Sequence, residues 1–156
     1  MAALKKEAEQ KRLATNVLIN HLISDHVEFH GISVAAGIMP FQKKTLIQMV
    51  KRFDEPAMSE LSKTMAKDFV EFVIMRKGDY SLESFVDSLI AWVSLSGFCH
   101  RELIEARQKT VVIQHDMGKQ WSAFLVNFLS ESFAGLHAKV DFHHSDSMVA
   151  IRISGF

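Results

Sequence analysis

Between Asp116 and Leu136 the residues Trp121, Phe124, Leu125, Phe128, Leu129 and Leu136 recur at helical spacing and form one wide apolar stripe. A stripe of that width needs a cover. On either side lie short runs of period two, Thr110 to Gln114 before it and Lys139 to Phe142 then Met148 to Ile153 after it, a pattern that suits strands with one buried face. Phe98 to Ala106 is a further strand candidate, joined to the next by the polar connection Arg107-Gln108-Lys109. Asp116 is the expected N-cap of the helix. The order strand, strand, helix, strand, strand predicts an α+β fold with one four-stranded antiparallel sheet, a helix on one side, and helices packed around it.

The pattern upstream is helical throughout. Leu4 and Ala8 begin a short amphipathic helix that breaks near Lys11 to Ala14, and a second runs from Thr15 to Phe29 with Leu18, Ile19, Leu22, Ile23 and Val27 apolar. Gly31 to Met39 holds two glycines and no charge, which reads as an irregular connector closed by Pro40. Phe41 to Phe53 predicts a helix that buries Leu46, Met49, Val50 and Phe53 and sets Lys43, Lys44 and Lys51 on another face. Asp54-Glu55-Pro56 starts the next helix, whose apolar set is Met58, Leu61, Met65, Phe69, Phe72 and Val73, and Lys77-Gly78 stops it. A last helix with Leu82, Phe85, Val86, Leu89, Ile90, Trp92 and Val93 ends at Gly97 and is a candidate to join the sheet layer. The organisation expected is a helical hairpin and connector over residues 1–40, followed by a helical plus α+β domain over 41–156.

Composition narrows the class. A chain of 156 residues with 48% hydrophobic and 23% charged residues has enough apolar surface for a sizeable core, which excludes wholesale disorder. Its one cysteine, Cys99, excludes an intramolecular disulfide and makes a reducing, cytoplasmic compartment the expectation. The longest weakly polar run, Gly31 to Phe41, is about half the length that spans a bilayer, so no membrane segment is expected. The net charge of zero conceals an asymmetry. Residues 1–52 carry eight Lys and Arg against four Asp and Glu, and the remainder is acidic by the same margin. A basic third of this kind suits a phosphate-bearing partner.

Candidate chemistry is sparse. His26 and His30 are four apart on a helix with His21 and Asp25 nearby, and His115-Asp116 with His143-His144 and Asp146 is a second group, yet neither has the flanking pattern of a metal site. Adjacent strand residues such as His143 and His144 point to opposite faces. Cys99 and His100 are separated in the same way, which removes the simplest thiol and base pair. The glycines are scattered, so no phosphate loop is present. No catalytic residue, metal or cofactor is therefore expected, and the chain reads as a non-enzyme. Trp121, Phe124, Phe128 and Phe133 are close enough in sequence to line a pocket, which supports the competing reading of a ligand-binding or protein-interaction module without a nucleic-acid role.

The opening residues resemble the helical half of a ribbon-helix-helix domain of the MetJ/Arc type. Leu4-Lys5-Lys6-Glu7-Ala8-Glu9-Gln10-Lys11 is similar to its first helix, and Arg12-Leu13-Ala14-Thr15-Asn16-Val17-Leu18-Ile19-Asn20 to the turn and start of its second. In that family two chains pair N-terminal strands into a ribbon that reads the major groove, while amides at the second helix start hold a backbone phosphate. The resemblance implies a homodimeric, DNA-associated transcriptional regulator whose remaining residues sense an effector, not identified by the sequence, or dimerise. Arg12, Thr15 and Asn16 would contact phosphate, with Lys43, Lys44 and Lys51 assisting, and Thr15 or Asn16 would cap the helix because Ala14 stands where serine is frequent. The family's strand is missing ahead of Leu4, so an alternating stretch upstream of Met1 is expected. Without it DNA binding should be weak, since phosphate contacts position and base contacts specify.

Overall fold

The computed structural model describes residues 1–155, and of Glu28 the backbone alone; its internal packing divides the chain into Met1–Met39 and Pro40–Phe156. In the first unit, helix α1 (Ala2–Gln10) turns through Lys11 to Ala14 into α2 (Thr15–Asp25). The hairpin buries Ala8 and Leu18, as the spacing of apolar residues requires.

The second helix does not stop at Phe29. Through a wide π-helical turn at His26–His30 it passes into α3 (Gly31–Ala35), so the expected connector is helical for its first half. Gly31 adopts ordinary right-handed helical angles, and the buried Ser33 donates its hydroxyl to the Phe29 carbonyl at 2.8 Å. The actual stop is Gly37 at a left-handed φ of 75°: its amide donates to Val34 O and that of Ile38 to Ser33 O, the paired bonds of a Schellman end. Low charge in this stretch marks an end of helix, not an absence of one.

In the second unit α4 (Lys43–Val50) is shorter than predicted, and of its four expected core residues only Val50 is buried; Leu46 is half-buried, while Met49 and Phe53 are exposed. Helix α5 (Glu55–Lys77) follows, with Asp54 accepting from the Ala57 amide at 2.9 Å, Pro56 in the first turn, and Gly78 at φ 85° closing the end. Its buried face differs from the predicted one in one residue of consequence. Leu61 is exposed, and Ser62 and Ala66 take the inner line. Small side chains there let α5 approach its neighbour closely enough for Ser62 Oγ to come within 3.3 Å of the Phe124 carbonyl. Helix α6 (Leu82–Leu95) is capped by Ser81, whose hydroxyl accepts from the Ser84 amide.

The sheet contains β1 (Cys99–Glu105), β2 (Gln108–Gln114), β3 (Lys139–His144) and β4 (Met148–Ser154), all antiparallel, in the order β1-β2-β4-β3. The α+β class with a four-stranded antiparallel sheet is as predicted. The first hairpin is tighter than predicted: Gln108 and Lys109 belong to β2, and the loop is Ala106-Arg107 with Ala106 at φ 51°. Between β2 and β3 runs α7 (Lys119–Phe133), the helix of the apolar stripe.

Two faces of α7 are used at once. Its residues Trp121, Phe124, Leu125, Phe128, Leu129 and Phe133 are all buried, covered on one side by Val111, Ile113, Val149, Ile151 and Ile153 of the sheet and on the other by α5 and α6. Phe128 meets Phe69 edge to face with ring centroids 5.4 Å apart, and Phe133 meets Phe85 at 4.7 Å. The aromatic residues that could have lined a pocket are thus spent on the core. Tyr80 ties the end of this helix down, donating its hydroxyl to Ser132 O at 2.6 Å.

Candidate nucleic-acid interface

The end of α1 is a Schellman turn with an unusual occupant. The amide of Arg12 donates to Glu9 O and that of Leu13 to Ala8 O, which places Arg12 at the left-handed position, φ 55°, where glycine is favoured. An L-residue there costs about 1 kcal/mol. Lys11 beside it is held in an ion pair with Glu7 at 2.9 Å; among the described residues the Arg12 guanidinium has no such partner, and the residue is exposed.

Three residues after Arg12, α2 begins without a cap. Ala14 occupies the N-cap in extended geometry and has no side-chain oxygen, so the expected capping by Thr15 or Asn16 does not occur; both lie inside the helix. The first turn holds no carboxylate either. By helix geometry the amides of Thr15, Asn16 and Val17 precede the first intrahelical bond, which Leu18 makes to Ala14 O. Thr15 is half-buried and Asn16 exposed. The turn therefore combines the positive end of a helix dipole, orphan donors and one guanidinium.

The three lysines belong to the other unit and do not act as one stripe. Lys44 and Lys51 are seven residues apart, hence on one line of the helix, and both are exposed. Lys43 lies about a third of a turn away and sets its ammonium 5.9 Å from the centre of the Phe98 ring. The basic surplus of residues 1–52 also divides. Met1–Met39 carries four cations and four carboxylates, and the surplus is Lys43, Lys44, Lys51 and Arg52 in the second unit.

Other chemically capable groups are accounted for. His26 and His30 lie with ring centres 5.4 Å apart and their planes tilted 42° to each other, and among the described residues no three His, Cys, Asp or Glu converge on one point. His143 pairs with Ala150 and His144 with Val149, on opposite faces. His115 is fully buried and close to a serine, an arrangement that deserves a test as a nucleophilic dyad. Met117 donates its amide to Nδ1 at 3.1 Å, which makes Nδ1 the unprotonated nitrogen. Nε2 therefore carries the hydrogen and donates to Ser122 Oγ at 3.0 Å, and Ser122 in turn donates to the Ser145 carbonyl at 2.5 Å. The histidine gives a proton to the serine instead of accepting one, so the pair is a structural pin. It joins the end of β2, the start of α7 and the turn between β3 and β4, where Ser147 O also accepts from the amides of His115 and Asp116. Asp116, expected as the N-cap, is held at φ 54° in this turn, and Gly118 takes the cap position.

A cleft of about 420 Å³ lies beside α6, lined by Lys77, Glu83, Asp87, Glu102 and Lys109 among others. Among the described residues its charges are matched apart from Glu83. Asp87 receives Arg76 at 2.7 Å and Lys77 at 2.5 Å, and Glu102 receives Lys109 at 2.9 Å. Burial works to raise the Asp87 carboxyl, and hydrogen bonds and charge from Lys77 and Arg76 outweigh it, holding the group below the usual carboxylate range. None of these three pairs was legible in the sequence, because their members are brought together by packing across elements. Compared with protein-family models and with curated proteins, the chain shows no match to either.

Proposed function

We propose that residues 1–39 are the phosphate-contacting, self-associating part of a DNA-associated regulator, and that the α+β unit from residue 40 onward is its sensing or dimerisation module. One observation carries the reading: an arginine held at a left-handed backbone position beside the uncapped, carboxylate-free start of α2. Strain of this kind is tolerated where the residue has a task that the relaxed choice, glycine, would not perform. A second copy is the natural complement of the unit. Fewer than forty residues rarely sustain a core alone, and Leu22, Ile23, Val27 and Val34 are exposed along α2 and its continuation. Association of two such faces would set two Arg12 turns on one duplex.

The test separates stability from binding. Arg12→Gly relieves the backbone and should raise the stability of the helical hairpin by about 1 kcal/mol. The same change should weaken binding to a mixed-sequence DNA duplex and reduce the slope of log affinity against log salt by about one per chain. Arg12→Lys should retain most of the slope. Affinity that is unchanged by Arg12→Gly, or that does not respond to salt, overturns the proposal.

A further inference from the structure

Strand β1 lies at the edge of the sheet, with one side of its backbone open. All seven residues, Cys99 to Glu105, pair in register with Gln114 to Gln108 without a bulge or proline, so its protection against pairing lies in the charges Arg101, Glu102 and Glu105, which a partner must match. Leu103 is 56% exposed and Ile104 72%. The opposite edge, β3, keeps Val140 and Phe142 half-buried and begins with Lys139.

We propose that β1 is the seam of a homodimer, in which two copies join edge to edge and antiparallel about a twofold axis at Leu103, extending the sheet to eight strands. The charge sequence selects both the occupant and the register. Residues directly opposed in an antiparallel pair share a face, so a twofold axis must pass through a residue. Centred on Leu103, the register sets Leu103 on its own copy, Arg101 against the partner's Glu105 on both sides, and Glu102 against the partner's Ile104. Glu102 enters that contact already neutralised by Lys109. The neighbouring registers are penalised. A centre at residue 101 opposes arginine to arginine, a centre at 102 opposes glutamate to glutamate, and a centre at 104 sets Leu103 against Glu105 and Arg101 against Arg107. Only a second copy of this strand offers the reciprocal Arg, Leu, Glu spacing that satisfies both charges at once.

This inference uses the second unit alone and does not rest on the nucleic-acid reading of residues 1–39. The full chain is tested with Cys99→Ser as background. Leu103→Cys then places two thiols directly opposite, about 5 Å apart between Cβ atoms. Glu105→Cys places them four residues out of register from each other, about 13 Å along the strand. Mild oxidation with diamide should cross-link the first variant to a dimer and leave the second as single chains. In sedimentation velocity, Arg101→Glu and Glu105→Arg should each weaken the dimer about tenfold or more, and the two together should restore it. The proposal is overturned by a monomeric chain at tens of micromolar, by equal cross-linking of the two cysteine variants, or by a double charge exchange that fails to recover association. A dimer indifferent to all these changes would place the seam elsewhere and leave the Arg12 experiment unaffected.

Discussion

Lowering the pH should loosen this fold through His115, and the size of the effect follows from its surroundings. The imidazole is fully buried, accepts the Met117 amide at Nδ1 and donates from Nε2 to Ser122. A proton can be added only at Nδ1, where it would face the Met117 N–H and strand a charge beneath Phe98, whose ring centre is 6.4 Å away. Burial accordingly pushes the group below its ordinary value; Asp116 opposes the shift and Lys43 adds to it. The unfolded chain takes up a proton near pH 6.5 and the folded chain does so only at lower pH, so the unfolded state binds more protons in between. Stability from this residue is complete above the unfolded value and falls by up to about 1.4 kcal/mol for each pH unit below it, until the folded imidazole also titrates. Urea unfolding at pH 8, 7, 6 and 5.5 measures this directly. Wild type should keep its midpoint between pH 8 and 7 and lose it progressively below 6.5. His115→Gln should begin less stable and change less across the same interval, the difference between the two proteins isolating His115. Parallel curves from pH 7 to 5.5 would falsify the assignment of Nδ1 as a buried acceptor.

Three further outcomes are expected. Tyr80 is the one tyrosine of the chain, and burial pushes its phenol up to about 12, so ultraviolet titration should show only about a tenth of the full phenolate band at pH 11 while the far-ultraviolet spectrum remains native; a midpoint near the ordinary 10 refutes the buried hydroxyl. Asp87→Asn leaves the Arg76 side chain, 7% exposed, without its carboxylate and should cost about 1–3 kcal/mol at pH 7. The folded carboxyl is depressed, so the stability it adds is present above the ordinary carboxyl range and lost on acidification, and wild type and variant should converge as the pH falls through and below that range. Gly78→Ala meets open space but a left-handed backbone, and should lower the thermal midpoint by the equivalent of about 1 kcal/mol; no change would mean that the end of α5 is set otherwise.

Much of the fold was legible along the chain. The stripe from Trp121 to Phe133 is the central helix, the period-two runs are strands, and Asp54, Pro56, Lys77 and Gly78 bound α5 as their chemistry predicts. These signals are local, set by side-chain period and by backbone groups a few residues away. Where the fold departs from the local pattern, packing between distant residues decides. Gly31 and Gly37 look alike in sequence, yet one continues a helix and the other ends it, and the left-handed φ of Gly37 with the paired bonds to Val34 and Ser33 tells them apart. Leu61 fits the apolar period as well as Ser62 does not, but close packing on α7 selects the smaller residue. Of the candidate site, residue types and the charge surplus were visible. The strain at Arg12 was not, because a Schellman turn depends on where α1 stops.

The sequence by itself determined most of the helices and strands, that the sheet is antiparallel and that α7 needs cover on a wide arc, since period, caps and turn residues act over distances of a few residues. Tertiary structure alone decided the order β1-β2-β4-β3, the edge left open at β1, the separation of Arg12 from the lysines of α4 into different units, and the tautomer of His115. Each of those depends on which surfaces remain after the core has closed, a competition among distant residues for the same partners.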